Sequence, residues 1–254
     1  MSDWLEPLRA ALDGAPAPVP FFFRDDDAGW RDDRLVRLID LFDRCALPLD
    51  LAVIPSDLTP ELANELRTRS EAKPRLGLHQ HGFAHRNHEP EGRKCEFGPS
   101  RARADQLRDI AEGRRRLEEL LGANLDPIFT PPWNRCTRVT AECLVELGID
   151  VLSRESGAEP FGMAGLTELP IGVDWFKQRK QVRLSREEVG ELLASHTRAA
   201  APVGVMFHHA VMEEDDWHGV DELLVLLAGH PRVVARPMIQ STSVGGSSAT
   251  SSMR

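Results

Sequence analysis

This 254-residue chain has no apolar run that approaches the length of a membrane-spanning helix, which argues against an integral membrane protein. It has no excess of positive charge. With 31 Lys and Arg against 40 Asp and Glu, its formal net charge is −9, a poor match for a phosphate backbone, so no nucleic-acid partner is expected. Cysteine is sparse: Cys45, Cys95, Cys136 and Cys143 contain no Cys-x-x-Cys pair and no neighbourhood that would mark a nucleophile. Structural disulfides are not expected, and the four thiols read as bystanders. No internal repeat recurs at a fixed period. The first fourteen residues carry Asp3, Glu6, Arg9 and Asp13 among their apolar positions and so do not form a secretory signal. A cytoplasmic protein, free of membrane, is the expectation.

What is present is an ordinary soluble composition, 41% hydrophobic and 28% charged, on a chain long enough for a large core. Ala15 to Pro20 is a stiff, proline-rich lead-in to a strand at Phe21–Phe22–Phe23. Helical spacing of Leu35, Leu38, Ile39 and Phe42 follows, then a strand from Leu49 to Ile54. Thr59-Pro60 opens a second helix, with the hydroxyl at the N-cap and proline in the first turn. Further strands are predicted at 75–81, 126–130, 149–152 and 203–207, around Leu169 and Val173, and at 233–235. Helices are predicted at 101–121, 139–147, after a capping box at Ser185, and at 221–228, with Glu213 to Asp216 as an acidic loop. Strand and helix alternate about seven times with short connections. That pattern predicts one α/β domain over residues 1–240, its parallel sheet closed into a barrel, followed by a disordered Ser/Gly/Thr-rich tail at 241–254.

The polar clusters fall at the C-terminal ends of these strands, the face on which barrel enzymes carry their sites. Arg24-Asp25-Asp26-Asp27 ends the first strand. Three adjacent aspartates repel one another; they either cap the following helix or face a cation. Leu76 to His88 holds four of the nine histidines, and a helical turn after His81 would put His81 and His85 on one face, able to share a metal. His79, two residues earlier, would face the same side as His81 and reads as a partner of the site or a substrate contact. His88 reads equally as a surface residue. Pro131-Pro132-Trp133-Asn134 follows the fourth main strand and His208-His209 a later one. The charged loop from Glu89 to Ser100 is long enough to suggest a lid or a site wall. Trp133 and Trp175 read either as sugar-stacking platforms or as core.

In this order the clusters resemble the polysaccharide deacetylases, the NodB-homology enzymes of carbohydrate esterase family four. Arg24-Asp25-Asp26-Asp27-Ala28 is similar to their Thr-Phe-Asp-Asp-Gly motif. His81-Gly82-Phe83-Ala84-His85-Arg86-Asn87 is similar to their His-Ser/Thr-x-x-His-Pro-Asn. Pro131-Pro132-Trp133 matches the third motif and Met206-Phe207-His208 the late Leu-x-His. The resemblance spans about residues 19 to 237. It implies a distorted (β/α) barrel with about seven parallel strands. It also implies a divalent metal, zinc first, on Asp27, His81 and His85, with Asp26 as general base and His208 as general acid. Arg24, Asp25, His79, His88, Pro132, Trp133, Asn134, Asp174, Trp175 and His209 would line or support the site. Two departures stand out. Thr130 occupies the place of the arginine that pairs with the base, for which Arg24, Arg135 and Arg154 are candidate replacements. The fourth motif is absent after Gly148, and Asp174-Trp175 comes later. The implied activity is metal-dependent cleavage of an amide, with a small N-acetylated sugar or glycan fragment as substrate. Two alternatives stay open: hydrolysis of a non-sugar linear or cyclic amide, and a non-catalytic metal- or carbohydrate-binding protein.

Overall fold

The computed structural model describes residues 3–199 and 201–242. Helix α1 (Glu6–Asp13) is followed by β1 (Val19–Ala28), α2 (Asp32–Arg44), β2 (Leu49–Val53), α3 (Pro60–Ala72) and β3 (Leu76–His81). Then come α4 (Arg103–Leu121), β4 (Leu125–Thr130), α5 (Arg138–Glu146), β5 (Val151–Leu152), β6 (Thr167–Glu168) and β7 (Val173–Asp174). A hairpin of β8 (Gln178–Arg179) and β9 (Val182–Arg183) leads to α6 (Arg186–Arg198), β10 (Val203–Phe207), α7 (Glu214–Gly229), β11 (Val233–Ala235) and α8 (Met238–Ser241).

The sheet runs β6-β5-β4-β3-β2-β1-β10-β7, parallel throughout, with β11 beside the start of β1. Its two ends meet in one extended segment. Leu169 and Ile171 donate their N–H groups to Leu152 and Arg154 on the β5 side, whereas Gly172 and Trp175 donate to Gly204 and Met206 on the β10 side. The segment therefore changes partners halfway along and joins the ladder's edges. Counting it as one stave with β1 to β5 and β10 gives the seven-stave, distorted (β/α) barrel expected.

Alternation along β1 separates two apolar layers. Phe21 and Phe23 point outward into the helix-facing core with Leu51, Val53, Leu78 and Val205. Phe22 points inward, where it packs with Ile128, Val151, Leu169, Ile171 and Met206, and Met238 of α8 closes the floor. Burying each such side chain contributes roughly 1.5–3 kcal/mol. The floor also holds acids. Asp50 is fully buried and accepts the Met238 N–H at 3.0 Å. A Cβ on Gly77 would stand 2.1 Å from Asp50 Oδ1 and 3.2 Å from Asp126 Oδ2, so only glycine leaves room for both carboxyls.

Helix signals hold where side chains can cap. The Thr59 hydroxyl accepts from Leu62 N–H, Ser185 and Glu188 form the reciprocal box, and Gly148, at φ +68°, follows the end of α5. One expectation is corrected. Glu213 to Asp216 is not a loop: Glu213 and Asp216 cap each other and α7 starts at Glu214, seven residues early, because acidic residues suit the positive end of the helix dipole. Residues 6–13 form α1, whose Leu8, Ala11 and Leu12 are buried on one face. Ser241 ends α8, and residues 243–254 of the expected tail lie outside the described residues.

Candidate metal centre and catalytic cluster

The three consecutive aspartates of β1 each have a different partner. Asp25 follows the strand alternation and points outward, where its Oδ1 accepts the His209 N–H at 2.9 Å and its Oδ2 meets His209 Nδ1 at 2.5 Å. His209 Nε2–H donates to the Trp30 carbonyl at 2.6 Å, so beside an ionised Asp25 the ring carries both protons. Burial alone would lower the His209 pKa, but the Asp25 charge and hydrogen bond outweigh it and hold it above its ordinary value. Asp26 points into the barrel. Arg24, also inward and fully buried, brings Nε to 2.7 Å of Asp26 Oδ1 and donates from Nη2 to Oδ2 at 3.0 Å. Burial pushes the Asp26 pKa up, but the charges of Arg24, His81 and His208 more than offset it and leave a net depression.

Asp27 should by alternation point outward with Asp25. Instead the β1–β2 register shifts between Asp25 and Ala28, and Asp27 takes φ +70°. This bulge turns its carboxylate to the same side as the histidines. Asp27 Oδ1 lies 3.3 Å from His81 Nε2 and 3.2 Å from His85 Nε2, buried and without a hydrogen bond of its own. The potential ligand atoms of Asp27, His81 and His85 all lie within 4.8 Å of one another. His81 Nδ1–H donates to the Thr130 carbonyl at 3.0 Å, which fixes the tautomer and leaves the Nε2 lone pair facing Asp27. One carboxylate and two imidazole nitrogens around an unsatisfied buried oxygen fit a tetrahedral divalent ion with its fourth position open.

His81 and His85 do not share a helix face. The chain turns at Gly82, φ +56°, and runs as an irregular loop in which His85 itself has φ +50°. That conformation is held from below by Glu96, buried in the 89–100 loop, whose carboxylate accepts the N–H groups of Phe83, Ala84 and Arg86 at 3.1, 2.8 and 3.3 Å. Its sequence position gave no sign of this beyond lying in the loop singled out as a site wall. The His85 ring is flanked by Trp30 at 4.8 Å and Trp133 at 4.4 Å, centroid to centroid. Trp133 and Asn134 also have positive φ, at 57° and 58°. Four non-glycine residues with left-handed backbone in one cluster store strain that the surrounding contacts must overcome.

His208 follows β10 and is about a quarter exposed, with its Nε2 4.0 Å from Asp26 Oδ2. Asp174, on neighbouring β7, faces it. Burial raises the Asp174 pKa, and the charge of His208 opposes the rise. Of the three candidate arginines, Arg24 is the one that pairs with Asp26. It is further held by Ser153 Oγ at 2.8 Å and Asn134 Oδ1 at 2.6 Å. Arg154 is committed to Glu168 and stacked over Phe161, and Arg135 lies at the rim. His79 points inward beneath the cluster, its Nε2 2.9 Å from the Thr130 hydroxyl, and burial lowers its pKa to about 3.

Four expected site residues fall elsewhere. Trp175 is core, not a wall: it is buried on the outward face, packs on Trp4 and Phe207, and donates from Nε1 to Asp216. Asp25 and His209 form their pair behind β1, turned away from the cluster by strand alternation. His88 lies outside the ligand group, its N–H donating to the Cys95 carbonyl at 3.0 Å. Pro132 is buried at the turn that presents Trp133 and Asn134.

No protein-family model matches the chain, and no curated protein does. Solved structures do. A Mycobacterium smegmatis protein whose polysaccharide deacetylase activity is itself inferred superposes with a TM-score of 0.68 at 14% identity, covering 89% of this chain and 90% of that one. A family 4 acetyl xylan esterase from Clostridium thermocellum, in complex with a cobalt ion, gives 0.58 at 12% identity over 87% and 89%. A peptidoglycan deacetylase from Bacillus subtilis gives 0.56 at 11% over 89% and 90%. The chain has the polysaccharide-deacetylase fold, as its motifs suggested.

Proposed function

We propose that this protein is a divergent polysaccharide-deacetylase-type hydrolase that cleaves an amide with the help of a divalent metal, removing an acetyl group from a small N-acetylated sugar. The observation that carries the reading is the adjacency of two unlike carboxylates: Asp27 facing two imidazole nitrogens, and Asp26 paired with Arg24 and 4.0 Å from His208. Asp27, His81 and His85 would hold the ion. The cobalt ion of the Clostridium thermocellum esterase supports a transition metal in this fold, and the nitrogen-rich donor set here favours zinc. When bound, such an ion supplies Lewis-acid polarisation of the amide carbonyl and makes water more acidic.

Asp26, ionised at neutral pH because Arg24 offsets its burial, takes the proton from the attacking water. His208, across from Asp26 and partly open to solvent, gives a proton to the departing nitrogen. Asp174, on neighbouring β7, lines the same side of the cluster. The C–N bond breaks as the new C–O bond is completed, leaving acetate and a free amine. Trp133 and Trp30 wall the cluster and offer the apolar face of a sugar ring a flat surface.

The test is acetate release from a panel of N-acetylated sugars by zinc-loaded protein. Asp26→Asn should keep the metal and lose activity by about a hundredfold or more. Bound metal without turnover of any amide would instead favour a binding protein. Ring-opened product or ammonia in place of acetate would sink the deacetylase reading.

A further inference from the structure

On a chain of net charge −9, cations on the helical surface are mostly neutralised in place: Arg37 pairs with Glu214, Arg44 with Asp221, and Arg115 with Glu112 and Glu119. The rim beside Trp133 differs. Arg86, Arg93, Lys94 and Arg135 make no ion pair among the described residues. They come from three segments knitted side by side. His88 N–H donates to Cys95 O at 3.0 Å, Arg135 Nη1 donates to Lys94 O at 2.9 Å, and Phe97 bridges to Cys136.

The loop's three acids, Glu89, Glu91 and Glu96, form no ion pair with these charges among the described residues, and two of them are held elsewhere. Glu96 is turned inward to three backbone amides, and Glu89 is taken by the N–H and hydroxyl of Ser100. Arg135 Nε is buried with no hydrogen-bond partner. Burial and the charge of Arg93 lower the Arg135 pKa, and the opposing charge of Glu155 does not offset them. Lys94 Nζ stands 6.0 Å over the Trp133 ring, and that ring is 4.4 Å from His85. The positive rim therefore begins one aromatic ring away from the cluster.

We infer that the substrate carries an anionic group, a phosphate or a carboxylate, which lies over Trp133 and is received by Arg93, Lys94 and Arg135 while its amide sits between Asp26 and His208. This rests on the amide-hydrolase reading and narrows it to charged sugars. Like charges gathered at this rim repel one another and attract anions; both effects fit a ligand that neutralises them. A neutral polymer would leave them unpaired.

The probes are N-acetylglucosamine, its 1-phosphate, its 6-phosphate and N-acetylmuramic acid. Binding is measured by calorimetry at low ionic strength on zinc-loaded protein carrying His208→Asn to block turnover. At least one anionic probe should bind about tenfold or more tighter than the neutral sugar. Lys94→Gln and Arg93→Gln, both exposed, should remove most of that preference and leave neutral binding unchanged. Arg135→Gln should do the same if it folds, and the two exposed variants suffice if it does not. In the active enzyme the preference should appear in KM and not in kcat. Equal binding of neutral and anionic probes, or a preference that survives Arg93→Gln/Lys94→Gln, overturns the inference. An anion preference without acetate release from any probe would keep the rim site and discard the hydrolase. Acetate release with no preference would do the reverse.

Discussion

Arg24 shows at the level of one side chain how a strand can supply a buried carboxylate with its counter-charge. Asp26, the proposed base, needs a cation to stay ionised inside the barrel, and here it comes from two positions earlier on the same strand. Alternation makes that possible, since residues i and i+2 share a face. Arg24→Gln leaves Asp26 buried without its counter-charge. The cost in stability should be about 3–5 kcal/mol, as for removal of one partner from a buried pair. The Asp26 pKa then rises, so the acidic limb of the pH–activity profile moves upward and activity at pH 7 falls by about tenfold or more. Zinc binding by Asp27, His81 and His85 should be retained, which separates this effect from collapse of the site. An unchanged acidic limb would show that Arg24 does not set the base. Sequence placed Arg24 among three candidates but had no means to choose. The choice depends on which side of a strand each arginine occupies and what closes over it.

Among the elements, strand ends were readable and loop geometry was not. The phenylalanine run, the apolar 203–207 segment and the capping signals at Thr59 and Ser185 each have a local cause, so they could be read from sequence. The His81–His85 spacing was noticed for a reason that does not apply: a helix face. What joins the two rings is a left-handed turn pinned by Glu96, and a carboxylate eleven residues after His85 has no periodicity to betray it. The bulge at Asp27 is equally invisible, because it arises from the register between two strands. The barrel floor supplies a separate prediction. Burial raises the Asp126 pKa from 3.8 to about 6. A carboxyl whose folded pKa is raised costs stability while ionised, above about pH 6, and the cost is relieved as pH falls towards 3.8. Asp126→Asn should therefore stabilise the protein by about 1–2 kcal/mol at pH 8, allowing for its partial exposure, and by almost nothing at pH 4. Urea denaturation at the two pH values measures this. A gain that is the same at both would show that the charge is not the cause.

Across the whole molecule, β1 is the central stave, paired with β2 on one flank and with β10, from the far end of the chain, on the other. Asp25 and His209, 184 positions apart, lock that second flank. The folded pKa of His209 is raised, so the pair's contribution is complete below the unfolded histidine value of about 6.5. It is lost as pH rises through the folded value. Stability should decline on the alkaline side, and His209→Asn should flatten that decline while lowering stability at pH 6. A wild-type stability that stays level from pH 6 to 9 would contradict the assignment. The position of β1 also orders events in time. During synthesis the Asp27, His81 and His85 group can assemble once the first four strands are out, but the β10 flank of β1, with its phenylalanines, stays uncovered until the last quarter of the chain emerges. Such an open strand edge invites pairing with the wrong neighbour. The protein is therefore expected to pass through its longest period of aggregation risk with the candidate metal group formed and His208 not yet made.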